Sequence, residues 1–128
     1  MASELKVVVV DDDDMIRSVV RIAVQKVDTM VIEAASGPEG LTVASAEHPN
    51  VVLLDFQMPK MDGAETLRQL KTDLEIAAIP IIFLTAKTGR KARSEYLQMG
   101  AIGTIEKPFD PLTLGKEIVS LMTSAKGA

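Results

Sequence analysis

Short runs rich in β-branched residues alternate with longer segments of helical periodicity along the whole chain. The runs are Leu5–Val10, Met30–Ala34, Val51–Leu54, Ile81–Leu84 and Ala101–Ile105. Within them Val7–Val10, Val51–Leu54 and Ile81–Leu84 are apolar at every position, the pattern of strands covered on both faces. Ile16, Val19, Val20, Ala23 and Val24 follow the i, i+3, i+4, i+7, i+8 spacing of an amphipathic helix, and Leu114, Ile118, Leu121 and Met122 mark another. Start signals agree. Ser36 and Glu39 form a capping box for a second helix. Asp110 and Pro111 offer an N-cap followed by proline at the first helical position. Asp14 is a candidate cap for the first helix, and the third and fourth helices are expected to begin near Gly63 and Gly89. Five strands alternating with five helices predict βα repeats, hence a parallel sheet with right-handed crossovers. The expected fold is α/β, an open doubly wound sheet whose ligands bind beyond the carboxyl ends of the strands.

Composition narrows the chemistry. A length of 128 residues fits a single domain over 1–128, and 47% hydrophobic with 25% charged residues is a globular balance. The chain has no cysteine, which removes disulfides, thiolate metal sites and cysteine nucleophiles. Its one histidine, His48, precedes Pro49 in a helix-to-strand connection and is assigned no function. A net charge of −4 gives no reason to expect direct contact with nucleic acid. The amino terminus does not read as a signal peptide, and no apolar run approaches the ~20 residues that cross a membrane. The expectation is a cytoplasmic protein without membrane contact.

Parallel strands bring the residues that follow them to one edge. Strand one is followed by Asp11, Asp12, Asp13 and Asp14, strand three by Asp55, strand four by Thr85, and strand five by Glu106 and Lys107. Two carboxylates at ~4 Å with an effective dielectric of ~20 repel by about 4 kcal/mol, so a cation, protonation or distance must offset them. An all-oxygen donor set with room for water and phosphate suits Mg²⁺. Beside such an ion one carboxylate can act as a nucleophile toward phosphorus while a lysine neutralises the transferring group. Taken singly each residue has a plainer role: Asp13 as a solvated loop residue, Asp14 as a cap, Lys107 as a surface lysine. Met58 and Met61 read as packing residues. The signal lies in the conjunction at the ends of four strands.

Those residues stand in four motifs: Val-Val-Asp-Asp at 9–12, Val-Val-Leu-Leu-Asp-Phe-Gln-Met-Pro-Lys-Met-Asp-Gly at 51–63, Phe-Leu-Thr-Ala at 83–86 and Glu-Lys-Pro-Phe at 106–109. In order and spacing the chain resembles the receiver domain of two-component response regulators over essentially its whole length. The resemblance implies a flavodoxin-like sheet with strand order 2-1-3-4-5. It implies Asp55 as phosphoacceptor and a Mg²⁺ site, open also to Mn²⁺, formed by Asp11, Asp12, Asp55 and the backbone carbonyl of Gln57. Thr85 would follow the phosphoryl group, Lys107 would pair with it, and the Lys107–Pro108 bond would be cis. The implied partners are a histidine kinase or histidine phosphotransfer protein and an unidentified downstream protein. A length of 128 residues leaves no room for an output domain, so the expectation is a stand-alone signalling module rather than an enzyme, monomeric or weakly dimeric.

The sequence departs from the family pattern at three neighbouring positions. Thr104 stands where an aromatic residue is usual, which leaves Tyr96 on the fourth helix as the aromatic candidate to repack. Ile102 and Gly103 replace an acidic pair common in DNA-binding regulators. Three rival readings stand beside this one. One is a phosphoryl carrier in a relay without conformational output. Another is a Mg²⁺-dependent aspartyl-phosphate phosphatase, which would want an acid where Gln57 stands. The third is a nucleotide-binding domain, which would want a glycine-rich turn after strand one.

Overall fold

The computed structural model describes residues 5–25, 29–87 and 89–127. The elements run β1 (Leu5–Val10), α1 (Asp14–Val24), β2 (Thr29–Ala34), α2 (Gly37–Glu47), β3 (Val51–Asp55), α3 (Gly63–Thr72), β4 (Ile81–Thr85), α4 (Arg90–Met99), β5 (Gly103–Glu106) and α5 (Leu114–Gly127). All four strand pairings are parallel, in the order β2-β1-β3-β4-β5. This is the doubly wound flavodoxin-like order that the family resemblance implied. Among the described residues no helix is long and apolar enough to cross a membrane.

Successive strand residues alternate between the two faces of the sheet, because the side-chain period of a strand is two. Val8, Val10, Val52, Leu54, Ile81 and Phe83 pack with Leu67 and Leu70 of α3 and Tyr96 of α4. Val7, Val9, Leu53, Ile82, Leu84 and Ile105 pack on the other face with Val20 and Val24 of α1 and Leu114 and Ile118 of α5. Burying each such side chain contributes roughly 1.5–3 kcal/mol, so the fully apolar strands are those that two helical layers cover.

Several boundaries shift from expectation. Asp13, not Asp14, caps α1: its side chain accepts from the Met15 N–H at 2.9 Å, and Asp14 becomes the first helical residue. Ser36 caps α2 by accepting from Glu39 N–H at 3.2 Å, while the Glu39 carboxylate reaches Ala35 N–H at 2.5 Å, one residue earlier than in a standard capping box. Asp110 opens a tight turn rather than α5 itself. Its carboxylate accepts from Leu112 N–H and its carbonyl from Thr113 N–H, and the α-helix begins at Leu114. β5 starts at Gly103 because Gly100, at φ 115°, turns the chain and Ala101 N–H still bonds Tyr96 of α4. His48 is exposed at the carboxyl cap of α2, and Met58 is a buried packing residue.

One close approach sets the path out of β3. Gly63 opens α3 with its N–H on the Phe56 carbonyl at 2.9 Å, and a Cβ there would lie 2.5 Å from the Asp55 carbonyl oxygen and 2.7 Å from Phe56 Cα. Backbone cannot yield as a side-chain tip can. Gly63→Ala should therefore destabilise the protein by about 1–3 kcal/mol in guanidinium unfolding. Gly115→Ala, with nothing within 4 Å of the added carbon, should stabilise it by about 0.5–1 kcal/mol. Equal stability of the two variants would contradict this packing.

Candidate functional site

The register of the sheet gathers the strand ends. Val10 pairs with Leu54, Asp55 with Leu84, and Thr85 with Glu106. Asp11, directly after β1, is therefore neighbour to Asp55 at the end of β3. Lys107, directly after β5, donates its backbone N–H to the Thr85 carbonyl at 3.0 Å. Asp11, Asp12, Asp13, Asp55, Gln57, Thr85, Ala86 and Lys107 line one cavity of about 260 Å³. Six of the residues expected from sequence (Asp11, Asp12, Asp55, Gln57, Thr85 and Lys107) thus meet in one place. Asp14 does not line it and pairs instead with Arg17.

Within the cavity Asp11, Asp55 and Thr85 are buried, while Asp12 and Gln57 are exposed. Carboxylate oxygens of Asp11, Asp12 and Asp55 lie within 4.8 Å of one another. The Lys107 ammonium bridges the two buried acids, 2.8 Å from Asp11 Oδ2 and 3.0 Å from Asp55 Oδ1. Gln57 N–H also donates to Asp55 Oδ1, at 3.2 Å. The Lys107–Pro108 bond is cis, and the lysine reaches back over the strand ends.

The charges do not balance. Burial, and then the Asp11 charge, push the Asp55 carboxyl up from its ordinary 3.8 to about 6, against the opposing pull of Lys107 and of the Gln57 N–H. Burial disfavours the charged Lys107 too, but hydrogen bonds to Asp11 and Asp55, with their negative charge, outweigh it and raise its pKa. Three acids facing one ammonium leave an excess of negative charge. All the acidic donors are oxygen and one of the three acids is open to solvent, so the set fits a hard cation that keeps part of its water.

Two contacts around the cavity had no signal in local sequence. Arg17, on α1, donates to the Asp11 carbonyl at 2.7 Å and to Glu33 of β2 at 3.1 Å, supporting the acidic loop from behind. The Tyr96 hydroxyl lies 3.2 Å from Thr85 Oγ1. A larger cavity, about 480 Å³, lies at the opposite edge of the sheet between Pro49, Lys71, Pro80 and Met122, and it gathers no cluster of acids.

Comparison with known proteins agrees with this geometry. The family model described as the response regulator receiver domain matches residues 7–119. A probable transcriptional regulator, ycf27, of Cyanophora paradoxa is 39% identical over 117 residues, which are 91% of this chain and 48% of that protein. The response regulator PleD of Caulobacter vibrioides is 36% identical over 91% of this chain and 26% of its own length. The chain therefore spans about half, or less, of the length of these curated relatives. The chemotaxis response regulator CheY4 of Vibrio cholerae superimposes with a TM-score of 0.86 at 33% identity, covering 93% of this chain and 99% of that one. A matching family model, the same strand order and an acid-rich cavity at the strand ends converge: the chain belongs to the receiver domains of two-component response regulators.

Proposed function

We propose that residues 1–128 act as one receiver unit that takes a phosphoryl group on Asp55 from a histidine kinase or histidine phosphotransfer protein, and that the modification alters its contacts with a downstream protein. The observation that carries this reading is the Lys107 ammonium set between the buried carboxylates of Asp11 and Asp55, with Asp12 and Thr85 on the same cavity. The side chains of Asp11, Asp12 and Asp55 and the backbone carbonyl of Gln57 would hold Mg²⁺, for which Mn²⁺ can substitute. That ion supplies the positive charge which lets an anionic nucleophile meet an anionic donor.

An Asp55 carboxylate oxygen attacks phosphorus. The new O–P bond forms as the P–N bond to the donor imidazole breaks, and that bond's electrons return to the ring nitrogen. A carboxyl titrating near 6 is mostly ionised at neutral pH, as a nucleophile must be. Lys107, already 3.0 Å from Asp55 Oδ1, is placed to pair with a phosphoryl oxygen. Thr85 supplies one hydroxyl proton to another. The chain acts on its own aspartate alone, so it is a signalling module rather than an enzyme with an external substrate. A phosphatase that works through an aspartyl phosphate needs an acid or base two residues beyond the nucleophile, and Gln57 is neither. Carriage of the phosphoryl group in a relay is the second reading, favoured by the absence of an aromatic ring at Thr104. Conformational output is favoured by the direct bond between Thr85 and Tyr96 of α4, which is lost when the threonine turns to the phosphoryl group.

Two outcomes follow. Labelling by acetyl phosphate should require Mg²⁺ or Mn²⁺, and Asp12→Ala should slow it at least about tenfold, the scale on which metal-supporting residues act. Undiminished labelling in chelator would contradict the metal's role. The second outcome concerns stability without metal. The folded protein holds the Asp55 proton more tightly than the unfolded chain, so this group's contribution falls as pH rises from about 4 through about 6. Above that range the penalty is complete, on the order of 2–3 kcal/mol. Asp55→Asn should then raise the melting temperature of the metal-free protein at pH 8 by roughly 5–10 °C. The difference should shrink toward pH 4.5. A variant that melts lower than the parent at pH 8 would refute the charge balance.

A further inference from the structure

We propose that Tyr96 is a positioning residue for the phosphoryl site: its hydroxyl holds the Thr85 hydroxyl in a resting arrangement that a phosphoryl group must displace. This rests on the reading of Asp55 as phosphoacceptor and adds a second control over it.

The ring comes from α4. Tyr96 is only 3% exposed and sits against Phe56 and Phe83, with ring centroids 4.9 and 5.3 Å away. Phe56 and Phe83 themselves meet edge to face at 5.2 Å, so the three rings form one closed cluster. On β5 the residue paired with Phe83 is Thr104. The aromatic group beside Thr85 is therefore supplied by a helix, not by the neighbouring strand.

The hydroxyl protons can be assigned by counting. Lys87 N–H donates to Thr85 Oγ1 at 3.0 Å, the Tyr96 hydroxyl donates to the Lys87 carbonyl at 3.3 Å, and the two hydroxyl oxygens lie 3.2 Å apart. Tyr96 has one proton, and the Lys87 carbonyl takes it. The contact between the hydroxyls is then made by the Thr85 proton, donated to the Tyr96 oxygen. This is the only assignment that makes all three bonds.

That assignment has a direct consequence for the site. Thr85 has a single proton to donate, and in the resting protein it is spent on Tyr96. Donating to a phosphoryl oxygen means leaving Tyr96. When it does, Tyr96 keeps its own bond to Lys87 and its packing between two phenylalanines, so the ring stays where it is and only the threonine turns. The Tyr96 hydroxyl stabilises the resting state and contributes nothing to the phosphoryl-bound state.

Removing it should therefore favour the bound state. The probe is beryllofluoride in the presence of Mg²⁺, titrated into the full chain and into Tyr96→Phe, which keeps the ring. Tyr96→Phe should bind about two- to tenfold more tightly, the fold-change equivalent to one neutral hydrogen bond. Affinity for Mg²⁺ alone should not change. In a Thr85→Val background the same substitution should produce no gain, because no threonine proton remains to release. In the parent, nuclear Overhauser contacts of the Tyr96 ring with Phe56 and Phe83 should persist when beryllofluoride is added. Unchanged or weaker binding by Tyr96→Phe, an equal gain in the Thr85→Val background, or loss of those ring contacts would each overturn the proposal. A parent protein that binds no beryllofluoride would overturn it together with the phosphoacceptor reading. Binding by the parent without a gain in Tyr96→Phe would overturn the positioning role alone.

Discussion

The ion bridge from Lys107 to Asp11 and Asp55 is the contact on which the site depends. Two buried carboxylates side by side are unfavourable, and so is a buried ammonium without partners; each makes the others tolerable. Asp11 and Lys107 are 96 residues apart in sequence, so the bridge exists only when β1, β3 and β5 are all in register. The excess negative charge left over is equally consequential. It raises the Asp55 carboxyl and gives a divalent cation a reason to bind, so that protonation and the proposed metal and phosphoryl chemistry would share one pocket.

The surroundings divide the labour. Arg17 holds the Asp11 backbone from behind and is itself fixed by Glu33, with Arg21 on the same glutamate at 3.1 Å. This places a cation beneath the acidic loop without filling the cavity. Gly63 lets α3 start flush against the end of β3, which fixes the backbone that carries Asp55. On the other side of the cavity, Thr85 is tied through Tyr96 and Lys87 into the aromatic cluster of Phe56 and Phe83. The acids are thus rigidly backed, whereas the hydroxyl is held by replaceable neutral bonds.

Much of this was legible in the sequence, for a specific reason. The apolar runs ending at Val10, Leu54 and Leu84 announce covered parallel strands, the run to Ile105 adds an edge strand, and a parallel sheet compels the residues after them to meet. That rule, with the four motifs, predicts that Asp11, Asp12, Asp55, Thr85 and Lys107 meet, and they line one cavity. Features set by local hydrogen-bond geometry were less legible. Adjacent Asp13 and Asp14 are chemically identical, and only the position of the Met15 N–H decides which one caps α1. The delayed start of α5 depends on a turn that Asp110 closes on itself. Contacts across the fold, such as Arg17 with Glu33 or Tyr96 with Thr85, have no periodicity or motif to mark them. Tyr96 could be singled out as an aromatic residue near the site, but not as a hydroxyl bonded to Thr85.

The proposed chemistry converges on one atom, the Asp55 carboxylate oxygen that would carry phosphorus. Borohydride reduces an acyl phosphate to an alcohol, converting a phosphorylated aspartate into homoserine. The decisive measurement is peptide mass spectrometry after transfer from a phosphorylated histidine phosphotransfer protein and borohydride treatment. Homoserine at position 55, and at no other aspartate, is the predicted result. Reduction at Asp11 or Asp12, or an unmodified position 55 in protein that has taken up phosphate, would contradict it.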